Sequence, residues 1–206
     1  MRRVDLESSH SSPDFIGSWF IEPADVCDEL VAFFEARKEQ HTQGKMAGGL
    51  NLESKKSTDL SIRPHDLEQA DHQPVRDYLD KLFQCYQDYL EQWPFLQSFM
   101  QQVELGPFNI QRYDPTGHFL KVHSERTTIS TAHRVLAWMT YLNDVEDGGA
   151  THFVYQDLDV RPEKGKTLIW PAEWTHAHQG RVLNSGQKYI ITGWMHFPPR
   201  ATAGKA

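Results

Sequence analysis

The sequence predicts an α+β protein, a β-sandwich or jelly roll of short strands with helices packed on the outside. Two observations carry this. Val75, Tyr78, Leu79, Leu82, Phe83, Tyr86, Leu90 and Trp93 form one apolar stripe at helical spacing, opened by Pro74 and stopped at Pro94. From Val103 onward the texture changes to six or seven short strand candidates in about 90 residues, separated by turn clusters.

Taken in order, residues 1–13 are polar and Ser-rich and read as a flexible N-terminal tail. Phe15–Ile21 is a short strand candidate. Pro23 suits a first helical turn, and Val26, Leu30, Phe33 and Phe34 follow at helical spacing. His41 to Gln73 is polar and reads as a long loop with at most one short strand, Thr58 to Ile62; a loop of that length is a candidate substrate lid. Helix 74–93 buries its aromatic stripe against a sheet.

The strand candidates that follow are Phe108–Tyr113, Phe119–His123, His133–Leu142, Thr151–Tyr155, Lys166–Trp170, His176–Gly180 and Lys188–Phe197. Turns at 114–117, 146–149, 162–165 and 184–186 punctuate them. The chain thus divides into a tail (1–13), a helical and loop extension packed on the core (14–105), a jelly-roll core (106–198) and a C-terminal tail (199–206).

Bulk properties narrow the function classes. A net charge of −7 argues against a general nucleic-acid footprint. No apolar run approaches the ~20 residues of a membrane helix. Cys27 and Cys85 are far apart and make no zinc pattern, which suits a reducing, cytoplasmic setting. Met1-Arg2-Arg3 is basic, but no apolar stretch follows it as a signal peptide requires.

Chemistry concentrates in His123-Ser124-Glu125 and in His178, 53 residues beyond Glu125. Two imidazoles and a carboxylate are the ligand set with which non-haem Fe(II) oxygenases hold three positions of an octahedral metal. In a strand, the period of two puts His123 and Glu125 on one face. It also puts His176 and His178 together, so periodicity does not choose between them. Along the last strand Lys188, Ile190, Thr192 and Trp194 share a face. A lysine opening a buried face calls for an acidic partner or a bound anion, unless it snorkels to water at the strand edge. A dicarboxylate would supply that anion, and Thr192 is placed to donate to it.

The stretch Asn109–Phe197 resembles the prolyl 4-hydroxylase-like branch of the Fe(II)/2-oxoglutarate-dependent dioxygenases. The matching pieces are Arg112-Tyr113, His123-Ser124-Glu125, Arg134-Val135-Leu136, Tyr141-Leu142-Asn143, Gly148-Gly149-Ala150-Thr151-His152-Phe153, Pro162 with Gly165, His178 with Gly180, Gly186 with Lys188, and Trp194. The resemblance implies a double-stranded β-helix core and a metal held by His123, Glu125 and His178. It favours His178 over His176, because the family's distal ligand stands ten residues before the basic residue that anchors the co-substrate. It makes Lys188 that anchor, lines the pocket with Tyr113, Tyr141 and Thr192, and packs Trp194 beneath it. The implied cofactors are Fe(II), 2-oxoglutarate and O₂, with ascorbate as reductant. The implied substrate is a prolyl residue of a peptide or protein. Free amino acids or other small molecules are the alternative, as are a non-catalytic jelly roll and a cupin-like metalloenzyme without 2-oxoglutarate. Two positions depart from the pattern: Glu125 stands where the family usually has Asp, and Ala150 where many relatives have Glu.

Overall fold

The structure is a computed structural model describing residues 1–6, 13–45, 49–100 and 102–197. In chain order the first elements are β1 (Arg2–Arg3), β2 (Gly17–Phe20), α1 (Asp25–Glu35), β3 (Thr42–Gln43), β4 (Lys55–Lys56), β5 (Thr58–Ile62), α2 (Gln73–Gln92) and β6 (Glu104–Leu105). The core continues with β7 (Phe108–Tyr113), β8 (His118–His123), β9 (Arg134–Tyr141), β10 (Thr151–Phe153), β11 (Leu158–Val160), β12 (Lys166–Pro171), β13 (His178–Gly180) and β14 (Lys188–His196).

These strands form two antiparallel sheets. The larger runs β1-β2-β12-β9-β14-β7-β5-β3, with β6 also paired to β14; the smaller runs β11-β10-β13-β8-β4. Side-chain alternation in the larger sheet makes two separate cores. In β14, Tyr189, Ile191 and Met195 join Leu136 and Trp138 of β9 in a core with Leu30 and Phe34 of α1 and Tyr78, Leu82 and Tyr86 of α2. The opposite face sends Tyr113, Ala137, Met139, Tyr141, Leu168, Trp170 and Ile190 toward Phe153, Leu158 and Val160 of the smaller sheet. Each such large apolar side chain contributes about 1.5–3 kcal/mol by leaving water. Gly193 sits mid-strand because a Cβ there would stand 2.6 Å from both Phe108 and the Trp138 ring.

Helix α2 docks on the larger sheet as its stripe requires, with one change. Cys85 and Tyr89 are buried and Phe83 is 52% exposed. Phe83 follows Leu82 by 100° around the helix, which carries it past the edge of the buried face. Where the stripe crosses β9 and β12, Tyr78, Thr140 and Thr167 join hydroxyls at 2.8 and 2.7 Å, so these three buried hydroxyls are paired.

Three expectations change. Residues 1–6 are not a loose tail: Arg2 and Arg3 pair with Phe20 and Trp19 on the edge of β2. Arg3 is tied to Asp88 of α2 at 2.8 Å. The rest of that proposed tail, residues 7–12, and the C-terminal segment 199–206 lie outside the described residues. Second, the segment from His41 to Gln73 carries three strands rather than one. β3 pairs with β5 and β5 with β7 of the larger sheet, while β4 pairs with β8 of the smaller one. Backbone pairing available at both open sheet edges outweighs the polar composition that suggested a loop. Third, His176 closes a 3-10 turn, Trp174–His176, and β13 begins only at His178, so the two histidines do not share a strand. Among the described residues no helix is long and apolar enough to cross a membrane.

Candidate active site

Register brings the sequence-separated ligand candidates together. His123 ends β8 and is the direct partner of His178, which opens β13. Glu125 lies two residues past the end of β8, in the bend that follows, so strand alternation is not what aims it. His123, Glu125 and His178 each offer one ligand atom, all within 4.8 Å of one another.

The proton inventory shows what this cluster can accept. His123 Nδ1 lies 2.9 Å from the Lys121 carbonyl and His178 Nδ1 2.9 Å from the His176 carbonyl. A carbonyl only accepts, so both Nδ1 atoms carry the hydrogen and both Nε2 atoms of the neutral rings present lone pairs. Those Nε2 atoms face Glu125 Oε1 at 3.5 and 3.3 Å. Three lone-pair donors converging at this range repel unless a cation lies between them. Neutral imidazoles with Nδ1–H bound to a carbonyl are also how metal-ligating histidines are oriented. Burial pushes the Glu125 carboxyl up, yet positive charge facing it, a proton on either opposing ring or a cation in its place, holds it well below the ordinary carboxylate range, so it is ionised. The donor set fits a divalent metal of the Fe(II) type.

Glu125 has a second set of contacts that the sequence reading missed. Its Oε2 accepts the Trp194 indole N–H at 2.7 Å, and Arg134 Nη1 stands 3.8 Å away. The Arg134 guanidinium lies over the Trp194 ring, 3.6 Å from its centroid. Trp194 therefore does more than pack beneath a pocket: it occupies one carboxylate oxygen and leaves the other to the imidazoles. The available signal was its even spacing from Lys188 on β14. Arg134 was marked only as part of the matching Arg134-Val135-Leu136 piece, and its place beside Trp194 depends on β9 pairing with β14. Phe119 stacks on His123 with centroids 4.0 Å apart, while Trp170 and Phe153 pack against His178, fixing both rings from behind.

His176 belongs elsewhere. Its Nε2 lies 2.7 Å from the Asp14 carbonyl and its Nδ1 3.0 Å from the Thr175 hydroxyl. Burial lowers its pKa, which keeps the ring neutral.

Lys188 is 3% exposed. Its ammonium donates to the Gly149 carbonyl at 2.8 Å and sits 4.4 Å from the centroid of Tyr113, its register partner. No carboxylate pairs with it among the described residues. Burial pushes its pKa down to about 7. Gly149 has φ +69°, and a Cβ on it would press within 3.2 Å of Lys188 Cδ. The hydroxyls expected to line this pocket are engaged within the protein. Thr192 Oγ1 donates to the Trp138 carbonyl at 2.9 Å, contrary to the expectation that it faces an anion, because the adjacent strand offers an acceptor first. Tyr113 donates to Gln111 Oε1 at 2.9 Å. Tyr141 lies 2.6 Å from Thr151 Oγ1 and 3.0 Å from the Val160 carbonyl.

Outside the metal cluster, a cleft of about 480 Å³ is lined by Arg126, Thr127, Thr128, Ile129, Ala132 and Glu173. Arg126 and Glu173 form an ion pair across it. Next to Glu173 in the chain, Trp174 is 66% exposed and meets the exposed Tyr155 edge-on at 6.0 Å.

Residues 108–196 match the family model of the 2OG-Fe(II) oxygenase superfamily. Over that stretch the chain is similar to 2OG-Fe(II) oxygenases of the prolyl 4-hydroxylase-like kind. The chain is similar to human prolyl 4-hydroxylase subunit alpha-1, 28% identical over 75 residues, covering 33% of this chain and 14% of that protein. It thus spans only a small part of the curated relatives it matches. In fold it resembles the viral collagen prolyl hydroxylase of Paramecium Bursaria Chlorella virus-1 in its 2OG complex. That likeness has a TM-score of 0.65 and 16% identity, over 90% of this chain and 97% of that one. It also resembles a Trichoplax adhaerens prolyl hydroxylase in complex with a hypoxia inducible factor oxygen degradation domain peptide. Here the TM-score is 0.70 with 11% identity, over 89% of this chain and 84% of the other. The structural likeness is to prolyl hydroxylases with a jelly-roll core.

Proposed function

We propose that the protein is an Fe(II)- and 2-oxoglutarate-dependent dioxygenase that hydroxylates an unactivated C–H bond of a prolyl residue in a peptide or protein. One observation carries most weight. Three metal-directed lone pairs and a buried ammonium without a carboxylate partner among the described residues occur in the same two-sheet core. His123, Glu125 and His178 would hold the metal. Lys188 would take the far carboxylate of 2-oxoglutarate, a charge that supplies the partner the chain withholds.

When bound, iron and 2-oxoglutarate supply the O₂ activation, with the co-substrate leaving as succinate and CO₂. The chain contributes geometry. Lys121 and His176 carbonyls orient the imidazoles, Trp194 leaves Glu125 one oxygen for the metal, and the apolar residues between the sheets exclude water. Ascorbate is the natural choice of reductant to keep the iron ferrous. The named relatives support a prolyl substrate, as does the exposed Tyr155–Trp174 pair beside the cleft. Exposed aromatic rings are how proteins commonly receive extended, proline-bearing chains.

Anaerobic addition of Fe(II) and 2-oxoglutarate should raise the weak visible charge-transfer band of the chelate. Absence of the band, or an equal band with undiminished co-substrate affinity after Lys188→Ala, overturns the assignment. Proline-rich peptides should stimulate succinate formation above the uncoupled rate. Stimulation by free amino acids alone would replace the prolyl substrate while keeping the reaction.

A further inference from the structure

A second buried lysine lies close to this site and takes no part in the proposed chemistry. Lys55 opens β4 and Asp59 lies in β5, so residues 55–59 cross from the smaller sheet to the larger. Asp59 is 6% exposed and accepts from three donors: Lys55 Nζ at 2.9 Å, Ser57 Oγ at 2.7 Å and Gln111 Nε2 at 3.0 Å. Gln111 is its direct register partner across β5 and β7.

A carboxylate only accepts, so it fixes the Gln111 amide with its NH₂ toward Asp59 and its oxygen away. That oxygen takes the Tyr113 hydroxyl proton at 2.9 Å. The phenol is therefore held at its tip, and its ring lies against the Lys188 ammonium at 4.4 Å. A buried ion pair serving stability alone is readily replaced by apolar side chains. Here the carboxylate oxygen that meets Lys55 also accepts from Gln111 and so starts a line of hydrogen bonds that ends at the proposed anion site.

We propose that Lys55, Asp59 and Gln111 are positioning residues that hold the Tyr113 ring against Lys188. The strands joining the two sheets would thereby set the 2-oxoglutarate pocket. Tyr113 serves through its ring face, with its hydroxyl turned to Gln111. This rests on Lys188 being the co-substrate anchor.

The test is calorimetric titration of Mn(II)-loaded protein with 2-oxoglutarate. Its variants are Lys55→Met with Asp59→Asn together, Gln111→Met, Tyr113→Phe, and Lys188→Ala as the control on the anchor. Loss of one hydrogen bond in the relay should weaken 2-oxoglutarate binding about five- to tenfold in each relay variant, with Mn(II) affinity unchanged. Combined with Tyr113→Phe, the other relay changes should add nothing, because the link they act through is already cut. Unchanged affinity in the relay variants, or losses that multiply with Tyr113→Phe, overturns the inference and leaves the anchor standing. Wild-type affinity in Lys188→Ala overturns the anchor, and the inference with it. If the paired charge variant does not fold, Gln111→Met decides, since it leaves the Lys55–Asp59 pair in place.

Discussion

Lys55 and Lys188 are buried to the same depth, 4% and 3% exposed, yet the chain treats them differently. Lys55 has a carboxylate at 2.9 Å, itself held by two further donors. Lys188 has a peptide carbonyl, an aromatic face and, among the described residues, no counter-charge. A cation neutralised by its own chain is part of the architecture. One left unneutralised at the same depth carries a standing cost, which an incoming anion removes. The difference separates scaffold from candidate site without reference to any relative.

The largest test of this contrast removes each counterpart. Asp59→Ala strands the Lys55 ammonium and should cost about 3–5 kcal/mol in denaturant unfolding. Lys188→Met removes an uncompensated charge and should leave stability equal or higher. Equal losses in both variants would break the comparison. Binding should invert the ranking: Lys188→Met should weaken 2-oxoglutarate at least about thirtyfold by calorimetry, because the ligand carboxylate then lacks its partner.

Next in size is the clasp on Glu125. Trp194→Phe keeps the packing and deletes the indole N–H, which should lower metal affinity about tenfold or more in a competition titration with a chromophoric chelator. Equal affinity would make Trp194 a packing residue only.

The smallest effect is on the pH dependence of stability. Burial lowers Lys188 from its ordinary value of 10.5 to about 7. Between those limits the unfolded chain holds a proton that the folded chain lacks. The penalty is full below about pH 7 and is relieved as pH rises toward 10.5. Relative to Lys188→Met, the wild type should therefore gain stability from about pH 7.5 to 9.5, on the order of 1 kcal/mol per pH unit. A flat difference would contradict the burial.

Much of this was legible in the sequence because it is local. The period-two pattern of 188–196 and the helical stripe at 75–90 each name their own buried face. The lysine at the head of an apolar strand face announced a site. What was not legible depends on partners far along the chain. The His41–Gln73 segment is too polar to read as strand, and it becomes strand only where sheet edges offer it hydrogen bonds. Trp194 and Arg134 meet Glu125 only once β9 and β14 are paired. Thr192 sits on the expected face, but a neighbouring carbonyl claims its proton, a competition that spacing does not reveal. Glu125 stands past the strand end rather than on it, so the longer carboxylate is aimed by its bend and by Trp194 and not by the pleat.

The central claim, that Lys188 is held unpaired for the far carboxylate of 2-oxoglutarate, is tested most directly by proton uptake. The co-substrate would be titrated into Mn(II)-loaded protein at about pH 8, in buffers of differing ionisation enthalpy. A lysine mostly neutral before binding and charged after it predicts uptake of about one proton, absent in Lys188→Met. Binding with no proton uptake, at an affinity the Lys188→Met variant retains, would contradict the account.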